Sequence, residues 1–272
     1  MHTTCNWIRG THPVARSRRL QAILGAAIIS VSSAVSADTL YGPAVTLGEG
    51  LARVYLVTDN GAPIELGVTL NDAFIAALPD EHAGHGVVMP DGKRTFEYVL
   101  EMPADNTTVF RHVTLDWNPS GHEPAGIYDL PHLDVHFYLI DNEERMAINP
   151  MLPGFAEKGE RLPSAEFVPV GYVNPGIPPV PLMGLHLVDP SAPELNGGSF
   201  TSTFLYGSWD GRLIFLEPMV TTAMLAQKQD VSTPIAMAER YDIPGDYPAA
   251  YRIRWDEATQ EHRVALTDFQ RR

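Results

Sequence analysis

The chain is almost free of cysteine, with Cys5 the only one in 272 residues. Beyond residue 5 it can therefore hold no disulfide, no Cys-based zinc or iron–sulfur site and no thiolate nucleophile. Basic residues are scarce too, 19 Lys and Arg against 33 Asp and Glu, for a formal charge of −14. A surface that acidic repels nucleic acid and anionic lipid, so neither is expected as a partner. No stretch reaches the roughly 18 consecutive apolar residues that suggest a membrane-spanning helix. G-x-S-x-G, a Gly-rich phosphate loop and the dinucleotide fingerprint are all missing. The zincin pattern H-E-x-x-H fails as well, because Leu133 follows His132 where a Glu is needed.

What is present falls into two segments. The first 37 residues carry Arg9, Arg16, Arg18 and Arg19 and no acid. They run through the apolar stretch Leu20–Val31 and end in Val35-Ser36-Ala37. A basic start, an apolar core too short for a span and small residues before a cut describe a secretory signal peptide. The expectation is cleavage after Ala37 and a secreted or periplasmic protein, residues 38–272, with no membrane attachment.

Of the 23 prolines only Pro13 lies in that first segment. Such density breaks long helices and points to short strands joined by turns. Leu51–Val57 and Pro63–Val68 flank Asn60-Gly61, the strongest short hairpin signal. Thr203–Trp209 and Arg212–Glu217 flank Asp210-Gly211 in the same way, which sets Tyr206 opposite Phe215 and Phe204 opposite Glu217. Ala250–Trp255 and His262–Thr267 form a third pair around an acidic loop. Thr95–Glu101, Val109–Trp117, Leu133–Ile140 and Met183–Val188 complete the strands. Asn71–Leu78 and Val220–Gln229 read as short helices, with Asn71 and Thr221 or Thr222 at their starts. The expected fold is mainly β: one antiparallel β-barrel or β-sandwich domain over 38–272, with two short helices. Residues 149–181 hold eight prolines and read as an ordered Pro-rich arm or long loop packed on it. No fixed-period repeat is visible.

Histidines carry the chemistry. In His132-Leu-Asp-Val-His-Phe-Tyr138, strand alternation puts His132, Asp134, His136 and Tyr138 on one face, opposite Leu133, Val135, Phe137 and Leu139. Two imidazoles and a carboxylate suit a borderline divalent ion, zinc first, with iron, nickel or copper as alternatives. On a straight strand, however, His132 and His136 are about 13 Å apart at Cα. They share an ion only if the strand curves or bulges; otherwise Asp134 pairs with one of them. His186, between Leu185 and Leu187, and Glu217, at the end of an apolar strand, supply further ligands.

The expected site is therefore His132, His136, His186 and Glu217 around one ion, with Glu217 a fourth ligand or general base. Asp134 would orient an imidazole. With an open position such an ion activates water for hydrolysis or hydration of a small substrate; with four fixed ligands it is structural. His112, mid-strand with Asp116 on the same face, is a reserve ligand; His122-Glu123 could support the ligands from behind but reads rather as a surface turn; and the Glu81–Gly86 loop could bind a metal, but its glycines make it mobile. The competing expectation is a non-enzymatic oligomeric binding or envelope protein whose histidines are structural.

The run Gly121-His-Glu-Pro…Pro131-His-Leu-Asp-Val-His-Phe-Tyr138, with Met183-Gly-Leu-His-Leu-Val-Asp189 and Tyr206-Gly-Ser-Trp-Asp-Gly…Glu217-Pro-Met219, resembles a family of uncharacterised bacterial exported proteins. The resemblance implies a β-rich fold and a homo-oligomer. It assigns no reaction.

Overall fold

In the computed structural model, residues 37–89 and 91–272 are described; the expected signal peptide lies outside them, apart from Ala37. Four strands come first: β1 (Asp38–Tyr41), β2 (Val45–Leu47), β3 (Gly50–Asp59) and β4 (Ala62–Asn71). Helix α1 (Asp72–Ala76) leads to β5 (Val87–Val88), β6 (Arg94–Glu101), β7 (His112–Asn118) and β8 (His132–Tyr138). Helices α2 (Asn142–Met146) and α3 (Phe155–Glu160) precede β9 (Leu185–Leu187), β10 (Ser202–Trp209) and β11 (Arg212–Thr221). After α4 (Thr222–Leu225) come β12 (Asp230–Pro234), β13 (Asp246–Tyr247), β14 (Ala250–Asp256), β15 (Glu261–Thr267) and β16 (Gln270–Arg271).

Fourteen of these strands make two antiparallel sheets of seven, and β13 pairs with β16 in a small third sheet. The first runs β1-β3-β4-β15-β14-β12, with β2 also on β3; the second runs β5-β6-β7-β8-β11-β10-β9. Their inner faces share one core. Val54, Leu56, Leu66, Val68, Val264 and Leu266 of the first meet Val113, Leu115, Leu133, Val135, Phe137, Leu216 and Val220 of the second. Burying apolar area of this kind at about 25 cal/mol per Å² is the main force holding the sheets together. The fold is thus mainly β, as the alternation indicates, with four short α-helices where the sequence suggests two. Asn71 and Thr221 cap α1 and α4 by accepting from the Phe74 and Met224 amides. The helices α2 and α3, five and six residues long, are too short to show a periodicity.

The hairpins β3–β4 and β10–β11 match position for position. Asn60 and Gly61 have φ of 49° and 82°, Asp210 and Gly211 51° and 80°, the left-handed pair that a type I′ turn needs. Each hairpin then bulges at the same place. Thr58 pairs with Pro63 and Val57 with Glu65, skipping Ile64; Ser208 pairs with Leu213 and Gly207 with Phe215, skipping Ile214. The bulge corrects the expected pairing: Tyr206 lies opposite Leu216, and Leu205 opposite Glu217. It also turns Leu213 to the core while Ile214 and Phe215 pack on the outer face. The two hairpins are a structural repeat with little sequence identity, which explains why no period shows in the sequence.

The outer face of the second sheet is covered by the Pro-rich arm. Val173 bridges to Val188, and Phe155 packs on Trp209. Gly159 admits this packing, since a Cβ there would meet the Pro179 ring. With both faces covered, every residue of β8 is buried. No helix among the described residues is long and apolar enough to cross a membrane.

Candidate metal centre

The row His132-Asp134-His136 faces away from the shared core, under the arm. Strand β8 pairs with β7 in unbroken register from His132 to Tyr138, so it neither bulges nor folds between the two histidines. The single four-ligand site is therefore divided. His136, His186 and Glu217 form one group, and His132 joins Asp134 and His122 in another. Within each group one ligand atom per residue lies within 4.8 Å of the others.

In the first group β11 brings Glu217 beside β8, and β9 brings His186 over Gly207 of β10. Gly207 is required because the Phe215 ring lies across it. That ring also packs against His136 and His186, at 4.8 and 5.2 Å between centroids, and so fixes both imidazoles. His136 Nε2 is 3.3 Å from Glu217 Oε1, and His186 Nε2 is 3.5 Å from Glu217 Oε2. On its other side His136 Nδ1 is 3.0 Å from Asp116 Oδ2, with the Thr114 hydroxyl 3.3 Å away. Asp116, not Asp134, is thus the carboxylate that orients this imidazole.

Strand β7 thereby contributes Asp116, seen in the sequence only as the companion of His112. His112 itself stacks on Tyr138 at 4.6 Å and joins neither group. Burial lowers its pKa to about 4. Nor do His82 and His85 of the Glu81–Gly86 loop join one.

In the second group the Asp134 carboxylate is shared. Its Oδ1 is 3.1 Å from His132 Nε2, and its Oδ2 is 3.2 Å from His122 Nε2 and accepts from Asn118 Nδ2 at 2.8 Å. His122 is the residue that sequence reading places on the surface. It sits in the loop between β7 and β8, and no strand periodicity marks it. The one local signal is a Gly-Pro-Gly loop short enough to fold back on the strand it precedes.

Three buried acids, Asp116, Asp134 and Glu217, thus line one sheet face, each no more than 4% exposed. Among the described residues no Lys or Arg pairs with any of them; their charged neighbours are histidines. The buried Arg145 is committed to Glu97 through two hydrogen bonds of 2.8 Å. His136 Nε2, Glu217 Oε2, Asp116 Oδ1, His132 Nε2 and Asp134 Oδ1 find no hydrogen-bond partner, a costly state for buried polar atoms. The separations explain why. Charge-assisted hydrogen bonds run at about 2.7–2.9 Å. Ligands about 2.0–2.1 Å from a tetrahedral zinc lie about 3.3 Å from one another. The 3.1 Å from His132 to Asp134 and the 3.3 and 3.5 Å from His136 and His186 to the two Glu217 oxygens lie nearer the second distance, whereas His122 Nε2 and Asp134 Oδ2, at 3.2 Å, are within hydrogen-bond reach.

With protons as the only cations, the first group is electrostatically poised. Burial, only partly offset by His136, raises Glu217 to about 8. Burial opposes the charge on His136 as well, but the Glu217 and Asp116 carboxylates prevail and raise it to about 9. Burial beside His136 and His122 lowers His186 to about 3, leaving it a neutral imidazole. At Asp134 burial acts upward, yet the His132 and His122 imidazoles hold the carboxyl well below its usual range. At neutral pH the pair therefore holds on to protons that a divalent ion would have to displace.

His122, Asp134, His186 and Glu217 open on a cavity of about 230 Å³. Its apolar wall comes mostly from Ile177, Pro178, Pro179 and Val180 of the arm, with Leu205 of β10 and Tyr128 of the β7–β8 loop, while Asp91, Thr95 and Glu123 add polar groups.

Residues 58–117 match the family model described as TTHB210-like, Hypothetical protein TTHB210. The matched span covers β4 and β6 and ends before Gly121–Tyr138, so it contains neither ligand group. No curated protein and no solved structure matches the chain.

Proposed function

We propose that the protein is an exported metalloprotein holding a divalent ion, zinc first, at His136, His186 and Glu217. In this reading the ion serves hydration or hydrolysis of a small, largely apolar substrate. The observation that carries the proposal is that His136, His186 and Glu217 bring ligand atoms within 4.8 Å of one another beside an apolar cavity, with His136 Nε2 and Glu217 Oε2 buried and unpartnered. Three protein ligands leave a tetrahedral ion one position for water or substrate, the pattern of catalytic rather than structural zinc. The ion supplies Lewis acidity. Asp116 fixes the His136 tautomer through Nδ1, so that Nε2 presents its lone pair to the ion. Phe215 holds both imidazoles in place, and the apolar wall shields the site from bulk water and favours an uncharged substrate. The basic, apolar N-terminal segment supports export, where the absence of cysteine in residues 38–272 is no handicap.

Elemental analysis of untagged protein tests the proposal, set beside the His136→Ala/His186→Ala double variant. The expected result is one ion per chain fewer in the variant, together with loss of any hydratase or esterase turnover found for the wild type. Equal metal content in the two proteins, after dialysis against zinc, would overturn it.

A further inference from the structure

The second group is not a spare copy of the first. Its two histidines are locked from behind by groups that can only accept. His132 Nδ1 is 2.6 Å from the Leu130 carbonyl oxygen, and His122 Nδ1 is 2.6 Å from the Glu123 carbonyl oxygen. Each Nδ1 therefore carries a hydrogen, which leaves Nε2 as the ring atom that faces Asp134 and the one able to hold a proton or a metal ion there. His132 is fully buried, Asp134 is 4% exposed, and the facing atoms His132 Nε2 and Asp134 Oδ1 have no hydrogen-bond partner. Asn118 donates to the other carboxylate oxygen and sets its orientation, as groups behind a metal ligand commonly do.

The placement of these residues differs from that of the first group. His132 and Asp134 belong to β8, but His122 belongs to the loop that joins β7 to β8. That loop also carries Tyr128, whose ring packs on Phe200 at 5.0 Å and whose side chain lines the cavity. An ion here would tie the loop to the strand and fix one wall of the cavity.

We propose that His122, His132 and Asp134 form a second, separate divalent-cation site that fastens the 119–131 loop over the cavity. The site takes a borderline ion such as Zn²⁺ or Co²⁺ through two imidazoles and one carboxylate. It does not depend on the first group being a metal site, because no ligand is common to the two.

The test is metal stoichiometry by equilibrium dialysis against zinc, with hydrogen exchange of the loop amides as a second readout. Wild type is expected to hold two ions per chain, His122→Ala one and His186→Ala one. His122→Ala removes a partly exposed loop side chain, so the fold has every reason to survive; its far-UV circular dichroism checks this. In His186→Ala, where only the second site remains, added zinc should slow exchange across residues 119–131, and in His122→Ala it should not. If His122→Ala binds as many ions as wild type, or zinc leaves loop exchange in His186→Ala unchanged, the proposal is overturned. The two readings fail separately. A wild type with one ion that His122→Ala loses and His186→Ala keeps supports this site and removes the first.

Discussion

Because the two hairpins match, positions on the two sheets can be compared directly through their registers. On the outer face of the first sheet stand Arg254, Arg263, Glu261 and Asp256; the same places in the second hold Asp116, Asp134, His132 and Asn118. In the first sheet, acid and base neutralise each other with permanent charges. Arg263 reaches Asp256 at 2.9 Å, and Arg254 reaches Asp256 at 3.1 Å and Glu65 at 3.2 Å. Where the second sheet has Glu217 and His136, the first has Gly67 and Ala265, closed over by the Tyr55 ring. One frame thus carries a guanidinium–carboxylate network on one side and three acids with only imidazoles on the other. Guanidinium brings its own cation, whereas imidazole accepts one. The difference marks the second sheet as the one that could take up an external cation.

The largest effect should come from breaking this network. Arg263→Ala removes a buried guanidinium, leaving Asp256 to Arg254 and Glu261 to Arg53, and should cost about 3 kcal/mol, the upper end for hydrogen bonds to charged groups. Thermal unfolding should show a drop of roughly 6–12 °C for a domain of this size. A drop of less than a degree would mean that the network is solvated decoration.

On the second sheet the corresponding quantity is gained from outside. Zinc at about 100 times its dissociation constant should add about 2.7 kcal/mol. The gain should grow with pH. Glu217 is raised from 4.5 to about 8 and His136 from 6.5 to about 9, so both bind more protons folded than unfolded within those windows. Their contribution to ion-free stability is present at low pH and is lost as pH rises through 8 and 9. An ion displaces those protons, so its advantage increases over the same range. Melting with zinc and with chelator at pH 6.5 and 8.5 should show the larger difference at pH 8.5. Glu217→Gln should weaken that pH dependence, leaving the part that Asp116 imposes on His136, while keeping the chelated protein at pH 6.5 within about 1 kcal/mol of wild type.

A smaller effect is expected one step back from the ligands. Asp116→Asn keeps the shape but weakens the hold on His136 Nδ1, and should lower zinc affinity by about 10–100-fold with the stoichiometry unchanged. Titration calorimetry in competition with a chelator reads this directly. The smallest differences test the shared frame. Asn71→Ala and Thr221→Ala each remove the oxygen that caps α1 or α4 and should cost about 1 kcal/mol apiece, without changing metal content. Unequal costs, or metal loss in Thr221→Ala alone, would show that the two hairpins are not equivalent supports.

Much of the fold is legible in the sequence because its signals are local. Asn60-Gly61 and Asp210-Gly211 declare their turns, and alternation puts Leu133, Val135 and Phe137 in the core. The bulge at Ile214 is not legible, since Leu213 and Phe215 on either side of the skipped position leave the apolar pattern unchanged. The chemistry of the site is legible as well: His132, Asp134, His136, His186 and Glu217 all line the outer face. Their grouping is not, because it depends on whether β8 stays straight. His122 and Asp116 are brought in by a loop and by a neighbouring strand, contacts that no spacing within one segment encodes.

Anomalous diffraction at the zinc edge, from crystals grown with zinc, tests the central claim most directly. The account predicts a peak about 2 Å from His136 Nε2, His186 Nε2 and a Glu217 carboxylate oxygen. No peak there, with the His136–Glu217 separation contracted to a hydrogen bond of about 2.7–2.9 Å, would contradict it.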